Sequence, residues 1–216
     1  MKKLVLFAII TTTAASVFAQ GTVILNNRLG GITHVWIGPY NYQGNGTNDV
    51  PPGSFDYAAH GFHLIGTGPN GLFEAQHTIA QLLGAPGSGA PESNLVPGLP
   101  TTTFRTGAGA GDVAMTTVTF ANILPDAQVG TFELAAWDDS SGLYPTWTEA
   151  SVAWKSGLII AGRSAPFVLQ NIGGNVNVPP NLGPAMQSFG FGVPEPTTVA
   201  VAGLGAAALL IFRRRK

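Results

Sequence analysis

Glycine and proline set the strongest limit on this chain. It holds 29 Gly and 16 Pro in 216 residues, and outside its two ends no run of ten or more residues keeps a helical period. Gly raises the entropic cost of a helix interior and Pro removes a ladder donor, so this distribution favours short strands joined by turns. Six stretches carry strand patterning: 21–27, 33–38, 78–84, 113–123, 129–139 and 164–172. In 129–139, Phe132, Leu134 and Ala136 fall on one face and Glu133 and Ala135 on the other, with a solvated face expected for Glu133. Loops rich in Gly, Pro and Asn lie at 43–53, 85–100 and 177–184, and Ser151 to Ile160 suits a short helix or a strand. The pattern predicts an all-β fold, an antiparallel β-sandwich of jelly-roll or immunoglobulin-like type. Four Trp and twelve Phe, some of them in the ends, can fill the space between two sheets.

Charge is sparse and segregated. Lys2 and Lys3 stand at the start, and Arg213, Arg214, Arg215 and Lys216 at the end. Residues 20–192 keep four cations, Arg28, Arg105, Lys155 and Arg163, against ten acids, a balance of −6. That surface repels nucleic acid, whose binding is built on Lys and Arg. Cysteine is absent, which excludes disulfides, thiol nucleophiles and thiolate metal sites. The 173 residues from 20 to 192 suffice for one domain with an ordinary buried core.

The first 19 residues have the layout of a secretory signal peptide: two lysines, an apolar run from Leu4 to Ile10, and Val17-Phe18-Ala19 before the expected cleavage between Ala19 and Gln20. Signal peptidase is the partner this implies. Thr197 to Phe212 is 16 residues without a charge. As a helix it would run about 24 Å, a short transmembrane span whose flanking cations snorkel to the interface. The cluster Arg213–Lys216 anchors that end on the cytoplasmic side and leaves the body outside. The expected division is a signal peptide at 1–19, an extracytoplasmic domain at 20–192, and a C-terminal segment at 193–216 joined to the membrane by its helix.

Pro194-Glu195-Pro196, then the apolar helix at 197–212, then the basic tail at 213–216 resembles the PEP-CTERM sorting signal. The two prolines bias the strip around Glu195 to an extended form that a protease can bind. The resemblance implies an exported protein processed by exosortase, a membrane enzyme. It would pass transiently through the inner membrane with its body outside the cytoplasm, and then go to the cell surface or the exterior. In that reading Pro194, Glu195 and Pro196 form a recognition motif, and none of them is a catalyst. A softer likeness runs through 20–196, in "QGTVILNNRLGG", "TTFRTGAGAG", "FELAAWD" and "SFGFGVPEP". These stretches are similar to a set of secreted PEP-CTERM proteins of environmental bacteria, especially of the Verrucomicrobia type. No activity is attached to that set.

Candidate sites in the body each have a plain alternative. Trp137, Tyr144, Trp147 and Trp154 fall within 18 residues beside acids. They suit an aromatic platform for a polysaccharide if the loop "DDSSGLYPTW" exposes its rings, and core packing is the alternative. Asp138 and Asp139 are a calcium candidate, with an ordinary Asp-Ser-Gly turn as the other reading. His60 and His63, with His34 and His77, invite a metal reading, but Gly61 and Gly66 argue against the helix that would bring 60 and 63 together, a strand sets them on opposite faces, and surface or core-edge histidines are the plain alternative. Asn45-Gly46-Thr47 matches a glycosylation acceptor and equally an Asn-Gly turn. A hydrolase needs two carboxyls on a cleft, and Glu74, Glu133, Glu149, Asp138 and Asp139 supply only the residue types. No nucleophile elbow, phosphate loop or zinc-protease motif is present. The expectation is therefore a non-enzyme without cofactor or resident metal: a structural protein of the cell envelope or extracellular matrix. A carbohydrate-binding module is the first alternative and a secreted hydrolase the second.

Overall fold

A computed structural model describes residues 20–28, 33–67 and 75–192. The expected signal peptide through Ala19, Glu74, the motif Pro194–Pro196, the apolar segment 197–212 and the tail Arg213–Lys216 lie outside the described residues. Among the described residues, no helix is long and apolar enough to cross a membrane.

The described chain is mostly strand, with one short α-helix. In order it forms β1 (Gly21–Leu25), β2 (Val35–Gly38), β3 (Tyr42–Gln43), β4 (His63–Leu64), β5 (Thr78–Pro86), β6 (Val96–Pro97), β7 (Thr116–Phe120), β8 (Val129–Asp138), α1 (Trp147–Lys155), β9 (Ala161–Arg163), β10 (Phe167–Gln170) and β11 (Phe189–Gly192). Each of the six stretches with strand patterning contains a strand. The ends shift by a few residues because pairing, not pattern, sets where a ladder stops.

Three open sheets result. One pairs β1 with β7, the second runs β10-β8-β5-β6 with β9 also on β8, and the third runs β3-β11-β2-β4. The long ladder between β5 and β8 keeps register from Thr78↔Asp138 to Pro86↔Gly130. One cluster of buried side chains draws on all three sheets: Val23 and Leu25 from the first, Leu82, Phe132, Leu134 and Leu169 from the second, Val35, Ile37, Phe189 and Phe191 from the third.

Two features correct the sequence expectation. The fold is not wholly antiparallel, because β11 runs parallel to β2, from Phe189↔Val35 to Gly192↔Gly38. A parallel neighbour needs a long crossover, and here it consists of the whole intervening body. Strand periodicity says nothing about such a pairing. In addition, β8 has no solvated face. Phe132, Leu134 and Ala136 enter the main cluster, while Ala135 and Trp137 enter a second cluster with Leu83, Trp147 and Ala150 beneath α1. The alternation read from the sequence is present, but the outward face is covered by a helix.

Candidate functional site

Helix α1 begins where a side chain from the sheet satisfies its first turn. Thr146 takes the N-cap position in an extended conformation, and its hydroxyl bonds the Glu149 carboxylate rather than the backbone. The Trp147 N–H, which the N-cap side chain leaves unsatisfied, instead donates to Gln81 Oε1 at 2.7 Å, and Gln81 Nε2 donates to the Gly98 carbonyl at 2.9 Å. Trp147, Ala150 and Ala153, spaced by three, form the buried stripe of the helix.

The structure brings Trp137, Tyr144 and Trp147 together, but in the interior. Trp137 is fully buried and Trp147 is 8% exposed. Ring centroids are 5.8 Å apart for Trp137–Trp147 and 5.8 Å for Trp147–Trp154. The indole N–H of Trp137 donates to the Tyr144 carbonyl at 2.7 Å. The loop therefore does not present the rings of Trp137 and Trp147 as an open platform, because aromatic area next to an apolar helix face is more stable out of water.

Asp138 and Asp139 build the turn after β8. Asp138 Oδ1 accepts the Ser140 N–H at 3.0 Å and Oδ2 accepts the Ser140 hydroxyl at 3.2 Å, while Asp139 Oδ1 accepts the Tyr144 N–H at 2.8 Å. These are the hydrogen bonds of a short polar turn. Among the described residues, no group of three or more His, Asp or Glu side chains is placed to hold a metal ion. His60 lies in a 3-10 turn with its ring stacked on Phe55, and His63 lies in β4. Asn45 is buried, with Nδ2 donating to the Pro51 carbonyl at 2.7 Å and Oδ1 accepting the Ser188 N–H at 2.8 Å. A glycan acceptor needs that amide free.

Two acids do meet on the outer face of the second sheet, held by a cation. Arg163 Nη1 lies 3.0 Å from Glu133 Oε2 and also pairs with Glu92 from the loop before β6. Burial pushes the Glu133 carboxyl up, Arg163 pulls it back, and Glu92 adds to the rise. The Arg163 guanidinium carbon is 5.9 Å from the Trp147 ring centroid. A guanidinium wedged between two carboxyls occupies the space a glycosidase leaves for its substrate, so this is an ion-pair bridge.

One cavity among the described residues lies outside the sequence expectations. A cavity of about 190 Å³ lies between β2 and the loop 46–58, walled by His34, Trp36, Asp49, Phe55 and Tyr57. Trp36 and Tyr57 stack in parallel with centroids 4.9 Å apart. His34 Nδ1 lies 3.3 Å from Asp49 Oδ1, and Asp49 Oδ2 accepts the Gly46 N–H at 2.5 Å. Burial, with the Asp49 charge and Tyr42 as smaller causes, holds the Tyr57 hydroxyl far above its usual range; it donates to the Gly44 carbonyl at 2.6 Å. Of these residues the sequence pointed only to Trp36, as one of four core-filling tryptophans, and to His34, as one of the histidines weighed for a metal. The usable signal was the density of aromatics at 55–62 beside a Gly- and Asn-rich loop.

No curated protein and no solved structure matches the chain. One family does: residues 192–216 match the PEP-CTERM protein-sorting motif, beginning on the last residue of β11. The chain thus carries at that end a motif that implies export, processing by the membrane enzyme exosortase, and sorting to the cell surface or the membrane.

Proposed function

We propose that this is an exported protein in which residues 20–192 form a structural module of the cell envelope or extracellular matrix, and residues 193–216 form a temporary sorting handle. The match at 192–216 carries the reading. The expected signal peptide, cut between Ala19 and Gln20, supplies export. The apolar segment 197–212 and the cations Arg213–Lys216 hold the precursor in the membrane with its body outside. The polar side chains that resemble sites support a structural role: Asp138, Asp139, Glu133 and Asn45 are all engaged in holding the body together. The body is read as a sandwich-type module, because its main cluster lies among all three sheets and β9 packs on β11. Its kinship with secreted proteins of the Verrucomicrobia type belongs to the same proposal.

The intact mass of the protein recovered from its native host tests this reading. The expected mass lacks residues 1–19 and the segment beyond the Pro-Glu-Pro strip. A mature protein that retains either end overturns it.

A saccharide-binding role is the second reading, and the cavity at Trp36 favours it. Its stacked aromatic wall and its His34–Asp49 pair are the mix of apolar faces and fixed polar groups that small-ligand sites use. Intrinsic fluorescence of the purified body, titrated with neutral oligosaccharides, should change saturably, and Trp36→Phe should alter the response. A flat titration across the panel removes this reading.

A further inference from the structure

The sorting motif and the fold share a residue. Gly192 closes β11 and opens the matched segment, so no linker separates the folded body from the handle. All four residues of β11 are buried. β2 lies along one edge for the full strand, and β3 pairs with Phe189 and Gly190 on the other. Just ahead of β3, Asn41 Oδ1 accepts the Gly192 N–H at 3.2 Å. A Cβ at Gly192 would overlap the Gly38 carbonyl, and one at Gly190 would overlap the Phe62 ring, so the strand fits its slot without slack. Phe189 and Phe191 are both fully buried in the main cluster.

From Gly192 the chain can reach no more than about 7 Å to Pro194 and about 14 Å to Pro196, even fully extended. Proteins that read an extended peptide do so through its free backbone edge. Here the backbone preceding the motif is already committed on both edges. An enzyme embedded in the membrane must therefore either work against the folded surface around Pro39–Asn41 or wait for β11 to fray.

We propose that β11 restrains processing at the motif: the folded body limits how fast the Pro-Glu-Pro strip is cut, and the cut falls beyond Gly192, so that the released body keeps its closing strand. The inference rests on the reading of the chain as an exosortase substrate. It has a physical rationale in the product, since a cut before Phe189 would remove two buried aromatics and leave β2 and β3 without the strand that joins them.

The test is a pulse-chase of precursor to mature protein in the native host, with intact-mass analysis of the product. Three forms of the full chain are compared: wild type, Glu195→Ala, and a variant with a flexible Gly/Ser linker of about ten residues inserted between Gly192 and Val193. The linker leaves every residue of the body in place. It is expected to speed processing several-fold, and the wild-type product is expected to end at or after Gly192. If wild type is cut in a Glu195-dependent way but the linker leaves the rate unchanged, or if the product ends before Gly192, the restraint is refuted while the sorting assignment stands. If wild type and Glu195→Ala behave alike, the sorting assignment itself fails, and the restraint with it.

Discussion

Gln81 and Trp147, 66 positions apart in sequence, are joined by a 2.7 Å hydrogen bond from the Trp147 N–H to Gln81 Oε1. The bond lets a nine-residue helix start against a β-sheet although its N-cap side chain is turned away from the backbone. Gln81 is completely buried, and its amide nitrogen is spent on Gly98. Gln81→Leu would strand one donor and one acceptor. A loss of about 2–4 kcal/mol is expected, from two buried polar groups left unsatisfied. Urea unfolding measures it, and a loss below about 0.5 kcal/mol would show that α1 does not depend on the bond.

Trp147→Ala separates packing from ligand contact. With its ring set between Trp137 and Trp154, the substitution should cost about 3–5 kcal/mol of stability, as removal of a large buried aromatic does. Denaturant unfolding reads the loss. Unchanged stability together with lost saccharide binding would return Trp147 to the role of an exposed platform.

Arg163→Met should destabilise the body by about 3 kcal/mol near neutral pH, the low end for breaking a buried pair, since the arginine is 19% exposed. The pH dependence has a definite sign. The Glu133 carboxyl is raised above its ordinary value by burial, so its contribution to stability is fully present below the unfolded value and is lost as pH rises through the folded one. Arg163 limits that rise, and without it the loss deepens. The deficit of Arg163→Met relative to wild type should therefore shrink as pH falls toward the ordinary carboxylate range. Glu133→Gln added to Arg163→Met should recover most of the deficit at neutral pH. A deficit independent of pH would mean that the arginine stem, and not its charge, matters.

Asp126 should act in the opposite sense. Its carboxylate accepts the N–H groups of Asn175, Val176 and Asn177 at 2.9, 2.9 and 2.7 Å. Hydrogen bonds from Asn177 and Val176, with a smaller one from Asn175, hold the group below its usual range. Its contribution is present above the unfolded value and is lost as pH falls through the folded one. Its backbone sits at φ 57°, a left-handed conformation that Asp tolerates better than most residues. Asp126→Ala should speed amide exchange at 175–177 at neutral pH, and acidification of wild type should reproduce the effect. Exchange that does not change would remove Asp126 as the pin of this loop.

The sequence made the strands legible where they alternate over four or more residues with apolar side chains, as in β1, β5, β7 and β8. Two-residue strands such as β3, β4 and β6 carry no period, and β11, "FGFG", falls outside the six patterned stretches because half of it is glycine. Those glycines make sense only against Phe62 and the backbone of Gly38. The site residues divide in the same way. The aromatic group at 137–154 could be found by counting, but whether a ring faces water depends on what covers it. The Trp36 cavity joins β2 to a loop that sequence alone does not place.

By itself, the sequence determined the β class of the body, the absence of thiol chemistry and the sorting motif. These depend on residue type and short-range order, which a linear chain states directly. Tertiary structure alone decided that β11 runs parallel to β2, that Glu133 is buried against Arg163 and that Gln81 starts α1. Each of these joins residues far apart in the chain, and such contacts form only when burial of a shared core offsets the entropy of closing the loop between them.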